Sequence, residues 1–118
     1  MFSRSERLQE LFREEVVQAL RGVKDPGLSG FLTVTGVELS ADKKTLRVFY
    51  SIMGSEHDKH SAAKALDRAA PFIRQVLRKR VQIKVIPQVV FVYDVTPEKA
   101  SRIDKMFLKL ENERRDDR

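Results

Sequence analysis

The chain has 118 residues, of which 42% are apolar and 34% charged, with a formal charge of +6 and no cysteine. That size and apolar content suit one folded domain with one buried core and exclude a disordered chain. The lack of cysteine removes disulfides, thiol nucleophiles and cysteine-type zinc sites and fits a reducing, cytoplasmic setting, while no apolar run reaches the roughly 18 to 20 residues that span a bilayer.

Ser3 with Glu6 three residues on has the spacing of a capping box. Leu8, Leu11, Phe12, Val16, Ala19, Leu20 and Val23 follow at three- and four-residue steps, which predicts an amphipathic helix ending near Gly22. The stretch from Lys24 to Gly30 holds Pro26, Gly27 and Gly30 and reads as an ordered loop. From Phe31 the pattern alternates, but its phase slips across Gly36, the mark of a β-bulge. After a polar turn at Ser40 to Thr45, Leu46, Val48, Tyr50 and Ile52 alternate again and complete an antiparallel hairpin that ends at Gly54 to Asp58.

His60 to Val81 returns to helical periodicity, with Ala62, Leu66, Ala69, Phe72, Ile73, Val76 and Leu77 as the inward stripe. Pro71 has no N–H to give the Asp67 carbonyl, so two helices joined by a kink at Ala69-Ala70 are expected. Val89 to Tyr93 is apolar on both phases and predicts a strand covered on both faces. Thr96-Pro97-Glu98 reads as N-cap, first-turn proline and first-turn acid of a last helix over 97–111, followed by a flexible tail at 112–118. The expected whole is a single α+β domain over 1–111. Its three-stranded sheet carries the kinked helix pair and the N-terminal helix on one face, and a helical crossover makes the sheet partly parallel.

Charge is distributed unevenly. Between Lys59 and Lys84 eight basic residues face one acid, Asp67, whereas the rest of the chain is close to neutral. A confined basic face attracts phosphate, because neutralising it releases condensed counterions. Since Phe72, Ile73, Val76 and Leu77 point inward, Arg74, Arg78 and Lys79 must point out; Arg80 and Lys84 extend the patch, and Lys64 with Arg68 forms a second i, i+4 pair. Lys24, Lys43 and Lys44 can join only if the fold brings them near. Phe49 is either a stacking platform or core.

Machinery for catalysis is not visible. His57 and His60 read as solvated surface groups rather than metal ligands, Asp94 reads as a receiver of the free amides of the last helix, and no glycine-rich phosphate cradle occurs. The expectation is no enzyme, no cofactor and no metal. Trp anchors for a membrane-lying helix are absent, and no membrane partner is expected. The competing class is a protein-interaction module that uses the terminal helices, with Met106 and Phe107 as contacts.

Four short motifs in order resemble the ribosome-binding factor A family. They are Val23-Lys24-Asp25-Pro26-Gly27-Leu28, Thr35-Gly36-Val37-Glu38-Leu39-Ser40-Ala41-Asp42, Ala69-Ala70-Pro71-Phe72-Ile73-Arg74 and Ile86-Pro87-Gln88-Val89-Val90-Phe91-Val92-Tyr93-Asp94. The family is similar to type II KH domains but has a helix-kink-helix in place of the Gly-x-x-Gly loop, and this chain has no glycine from His60 to Val81. Pro71 stands where members often have Gly, and Gln88-Val89 replaces a more usual acidic-apolar pair. The resemblance implies a monomeric cytoplasmic factor that binds the 30S subunit and its 16S rRNA near the 5′ terminal helix and the decoding site. It further implies a role in late maturation, 5′-end rRNA processing and cold adaptation. The family's RNA-facing positions fall here on Arg74, Arg78, Lys79, Arg80 and Lys84.

Overall fold

A computed structural model describes residues 3–28 and 31–116 of the chain. Helix α1 spans Arg4–Arg21; the Ser3 hydroxyl accepts from the Glu6 N–H at 3.1 Å at its start, and Gly22 closes its end. Its buried side, Phe12, Val16, Ala19 and Leu20, is the apolar stripe of the sequence. A short 3₁₀ turn over Pro26–Leu28 follows, fixed by the Asp25 carboxylate accepting from the Gly27 N–H at 2.9 Å. Ser29 and Gly30, the end of the expected loop, lie outside the described residues.

Strand β1 (Phe31–Leu39) pairs antiparallel with β2 (Thr45–Met53), and β2 pairs parallel with β3 (Gln88–Tyr93), giving the order β1-β2-β3. The partly parallel sheet follows from the helical crossover between β2 and β3. The bulge is where the phase slip placed it: Val34 pairs with Tyr50 and Gly36 with Phe49, which leaves Thr35 as the extra residue.

Strand β3 is an edge strand, not a strand covered on both sides. Val89, Phe91 and Tyr93 belong to the core or pack against it, while Val90 on the other phase is 39% exposed. Its continuous apolar run reflects the preference of β-branched residues for extended backbone as well as burial, and periodicity does not separate the two.

Helix α2 spans Glu56–Arg80 and starts four residues before the expected His60. Ser55 and Asp58 form a reciprocal capping box that the polar run concealed. Pro71 lies inside this one helix and does not divide it in two. Ala62, Ala65, Leu66 and Ala69 before it, and Ile73 and Leu77 after it, are buried on one stripe, so packing holds both sides in register across the single lost backbone bond.

Helix α3 spans Thr96–Asp116 and runs past the expected boundary at 111 into the expected tail, where Glu and Arg are strong helix formers that need no apolar face. Residues 117 and 118 lie outside the described set. The helical layer, α1 and α2, covers one sheet face, where Phe12, Val16, Leu46, Val48, Leu66, Ile73 and Leu77 are fully buried. The radius of gyration, 18.1 Å, exceeds the roughly 13.5 Å of a compact chain this long. Helix α3, about 31 Å long, accounts for the difference by standing off the body.

Candidate nucleic-acid interface

At about 100° per residue, Lys64, Arg68, Arg74, Arg78 and Lys79 fall within an arc of about 140° on α2, opposite its buried stripe. All five are exposed. The inward alanines and aliphatics therefore fix which way the cations point, although Phe72, expected on the inward stripe, is 49% exposed at its border.

Ion pairs then divide the set. Arg68 donates from Nε and Nη2 to the two oxygens of Asp25 at 3.1 and 3.0 Å, which locks α2 to the turn after α1. The bonds from Arg68, then that from the Gly27 N–H, hold the Asp25 carboxyl below its usual range. Arg80 lies outside the arc and pairs through Nε with Glu15 of α1 at 3.1 Å. Arg74 gives one N–H to the Ile86 carbonyl at 3.2 Å, so its fork is steered toward the loop before β3 while other donors remain open. Lys64, Arg78, Lys79 and Lys84 form no salt bridge among the described residues.

Arg74 and Arg78 border a shallow groove with Asp67, Pro71, Gln75 and Gln88 between α2 and the start of β3. The Gln88 N–H donates to the Lys44 carbonyl at 2.8 Å, so the β1–β2 turn abuts this groove and brings Lys44 beside it. Spacing alone gave no sign of that approach. The turn itself is held by the Asp42 carboxylate, which accepts from the Ser40 hydroxyl at 2.6 Å and the Lys44 N–H at 3.0 Å, with Lys43 in a left-handed conformation at φ 61°. Lys24 lies at another groove with Asp25, Arg68 and Phe72, flanking the arc on its α1 side.

The remaining candidates are placed as follows. Phe49 is half-buried on the sheet face away from the helices, on the phase of Arg47 and Ser51. His57 is exposed in the first turn of α2 and His60 in the next, and no group of three or more metal-ligating side chains occurs among the described residues. Asp94 accepts from the Thr96 N–H at 2.9 Å and from the Thr35 hydroxyl at 2.7 Å; the capping oxygen is thus Asp94's, with Thr96 already helical. Thr35 is the bulge residue, left without a strand partner by the register slip. Two residues further into α3 than Thr96, Glu98 takes both Lys59 Nζ and the Tyr93 hydroxyl.

A family model described as ribosome-binding factor A matches residues 4–107 of the chain. Ribosome-binding factor A of Geobacter sulfurreducens is 35% identical over 118 residues, covering 99% of each chain. The crystal structure of ribosome-binding factor A from Thermus thermophilus superposes with a TM-score of 0.68 at 27% identity, covering 75% of this chain and 93% of that one. Coordinates of the Thermus thermophilus factor fitted into an electron cryo-microscopy map of its complex with the 30S subunit give a TM-score of 0.63 at 27% identity over 75% of this chain and 92% of that one.

Proposed function

The chain belongs to the ribosome-binding factor A family, and from that premise we propose that it binds the small ribosomal subunit through 16S rRNA and assists its late maturation without catalysing a reaction. The observation that carries this reading is the outward cationic arc of α2, in which Lys64, Arg78 and Lys79 form no salt bridge among the described residues, on a fold similar to one placed on the 30S subunit. Structured RNA is the partner such a face suits: phosphates lie at fixed spacing, and arginine grips them with two N–H groups. A factor of this kind shifts rRNA folding by binding one conformation better than another, which needs no fuel. The finer reading is action near the 5′ terminal helix and the decoding site, in the cytoplasm, with an effect on 5′-end processing that matters most in the cold.

The test is co-sedimentation of Arg78→Glu/Lys79→Glu with immature 30S subunits. Both side chains are exposed and form no salt bridge among the described residues, so the circular dichroism and melting of the variant should match the parent, while affinity falls about tenfold or more. Undiminished binding by the folded variant would remove this face from the interface. A protein-interaction module remains the second reading, favoured by Met106 and Phe107, 64% and 63% exposed on α3. It requires that capture survive ribonuclease treatment, whereas the RNA reading requires that it does not.

A further inference from the structure

Phe31 and Met53 pair directly across the β1–β2 hairpin and are 79% and 78% exposed, the two most open large apolar side chains among the described residues. They lie at the end of β2 remote from the α2 groove. Gln88 beside Arg78 pairs with Thr45, and Met53 is eight residues further along, about 26 Å of strand. Between this corner of the sheet and the first half of α3 runs an open groove of about 700 Å³.

Three kinds of group line it. Phe31 offers a ring face; Thr33 and Ser51, paired across the strands, offer hydroxyls; Arg102 and Lys105 enter from α3. Neither cation forms a salt bridge among the described residues. The one acid lining the groove, Glu98, is committed to Lys59 Nζ and the Tyr93 hydroxyl, both at 2.5 Å, so the groove presents uncompensated positive charge beside an aromatic surface. A duplex backbone would use the cations and leave the ring in water. A nucleotide with an unstacked base uses all three: π-face for the base, hydroxyls for its edge or ribose, cations for the phosphate.

We propose that this groove binds an unpaired RNA segment, with a base stacked on Phe31 and its phosphate held by Arg102 and Lys105. It is a second contact, separate from the α2 face and different in what it selects. The inference rests on the reading of the chain as an RNA binder, and the test separates the two. The full chain is titrated, by fluorescence anisotropy, into a labelled short oligoadenylate and into a labelled RNA hairpin whose stem is fully paired. Phe31→Ala should weaken oligoadenylate binding about tenfold, the loss of one stacked base, and Phe31→Trp should restore it. Arg102→Gln/Lys105→Gln should lower the same affinity and flatten its salt dependence. All three variants should leave hairpin affinity within about twofold, while Arg78→Glu/Lys79→Glu should reduce hairpin binding most.

Undiminished oligoadenylate binding by Phe31→Ala overturns the proposal. Ring-independent binding that is lost only with the two cations would mark the groove as a phosphate contact without base stacking and overturn it too. Failure of the parent protein to bind oligoadenylate while it binds the hairpin overturns the groove alone; failure to bind either RNA or the 30S subunit overturns the RNA reading itself.

Discussion

Two glycines illustrate how differently the same residue can be constrained. A Cβ built on Gly27 would lie 2.7 Å from the Ser61 carbonyl oxygen and 2.9 Å from the Ala65 Cβ, so the turn after α1 touches α2 backbone to backbone. A Cβ on Gly36 would meet nothing within 4 Å, and its φ is not in the left-handed range. Gly27→Ala should therefore force α2 and the turn apart and cost about 1–3 kcal/mol. Gly36→Ala should be neutral or stabilise by up to about 1 kcal/mol through the unfolded chain. Urea unfolding of both variants checks the pair, and equal effects would contradict the close approach. The turn chemistry of Lys24-Asp25-Pro26-Gly27 was legible in the sequence, but its destination was not. Asp25 meets Arg68 across 43 positions and Glu15 meets Arg80 across 65, separations that no local spacing reveals. That is why two of the seven candidate cations proved to be ion-paired to other elements.

Among the elements, α3 is the least embedded, and its attachment is electrostatic. Asp94 and Glu98 bind its first turn to Thr35 of β1, Lys59 of α2 and Tyr93 of β3. Each carboxyl is held below its ordinary range: Asp94 by the Thr35 hydroxyl and then the Thr96 amide, Glu98 by Lys59 and then the Tyr93 hydroxyl. A carboxyl whose folded pKa is depressed binds fewer protons folded than unfolded at mildly acid pH. Its contribution is complete above the ordinary carboxylate range and disappears as pH falls through the lowered folded value. Lys59, raised by Glu98 and then Glu56, works at the other end, since its contribution is lost only as pH rises through its elevated value. Acid should accordingly loosen α3 before the core. Amide protection at Lys99 to Arg102, relative to the intrinsic exchange rate, should fall below about pH 4, ahead of that at Leu66 or Ile73. Glu98→Gln should show the same local loosening at neutral pH, by roughly two- to tenfold. The helix itself was clear from the residues 100 to 110, and its anchor was half clear, since Asp94 and Glu98 announce a helix start. The partners Thr35 and Lys59 come from distant strands and helices and were not.

At the scale of the molecule, the sequence carried the architecture further than it carried the surface. Periodicity, the phase slip at Gly36 and the crossover specified the two terminal helices, the helical crossover and the mixed sheet, because these express buried faces, while the expected break at Pro71 proved to be one continuous helix. Burial cannot say which exposed cations are free, and that distinction has a measurable consequence. If Lys64, Arg78, Lys79 and one of Arg74 or Lys84 each neutralise a phosphate of paired RNA, the logarithm of affinity should fall with that of salt at a slope of about −3.6, roughly a hundredfold between 50 and 200 mM. Arg68→Gln and Arg80→Gln should leave that slope unchanged, because those guanidiniums are already answered by Asp25 and Glu15 at 3.0 and 3.1 Å. Lys79→Gln should flatten it by about 0.9. Breaking the lock from the acid side sharpens the comparison: Asp25→Asn releases Arg68 toward solvent and should steepen the slope by up to the same amount. A slope that ignores Lys79→Gln but responds to Arg80→Gln would place the RNA on the α1 side of α2 and reverse the assignment of the interface.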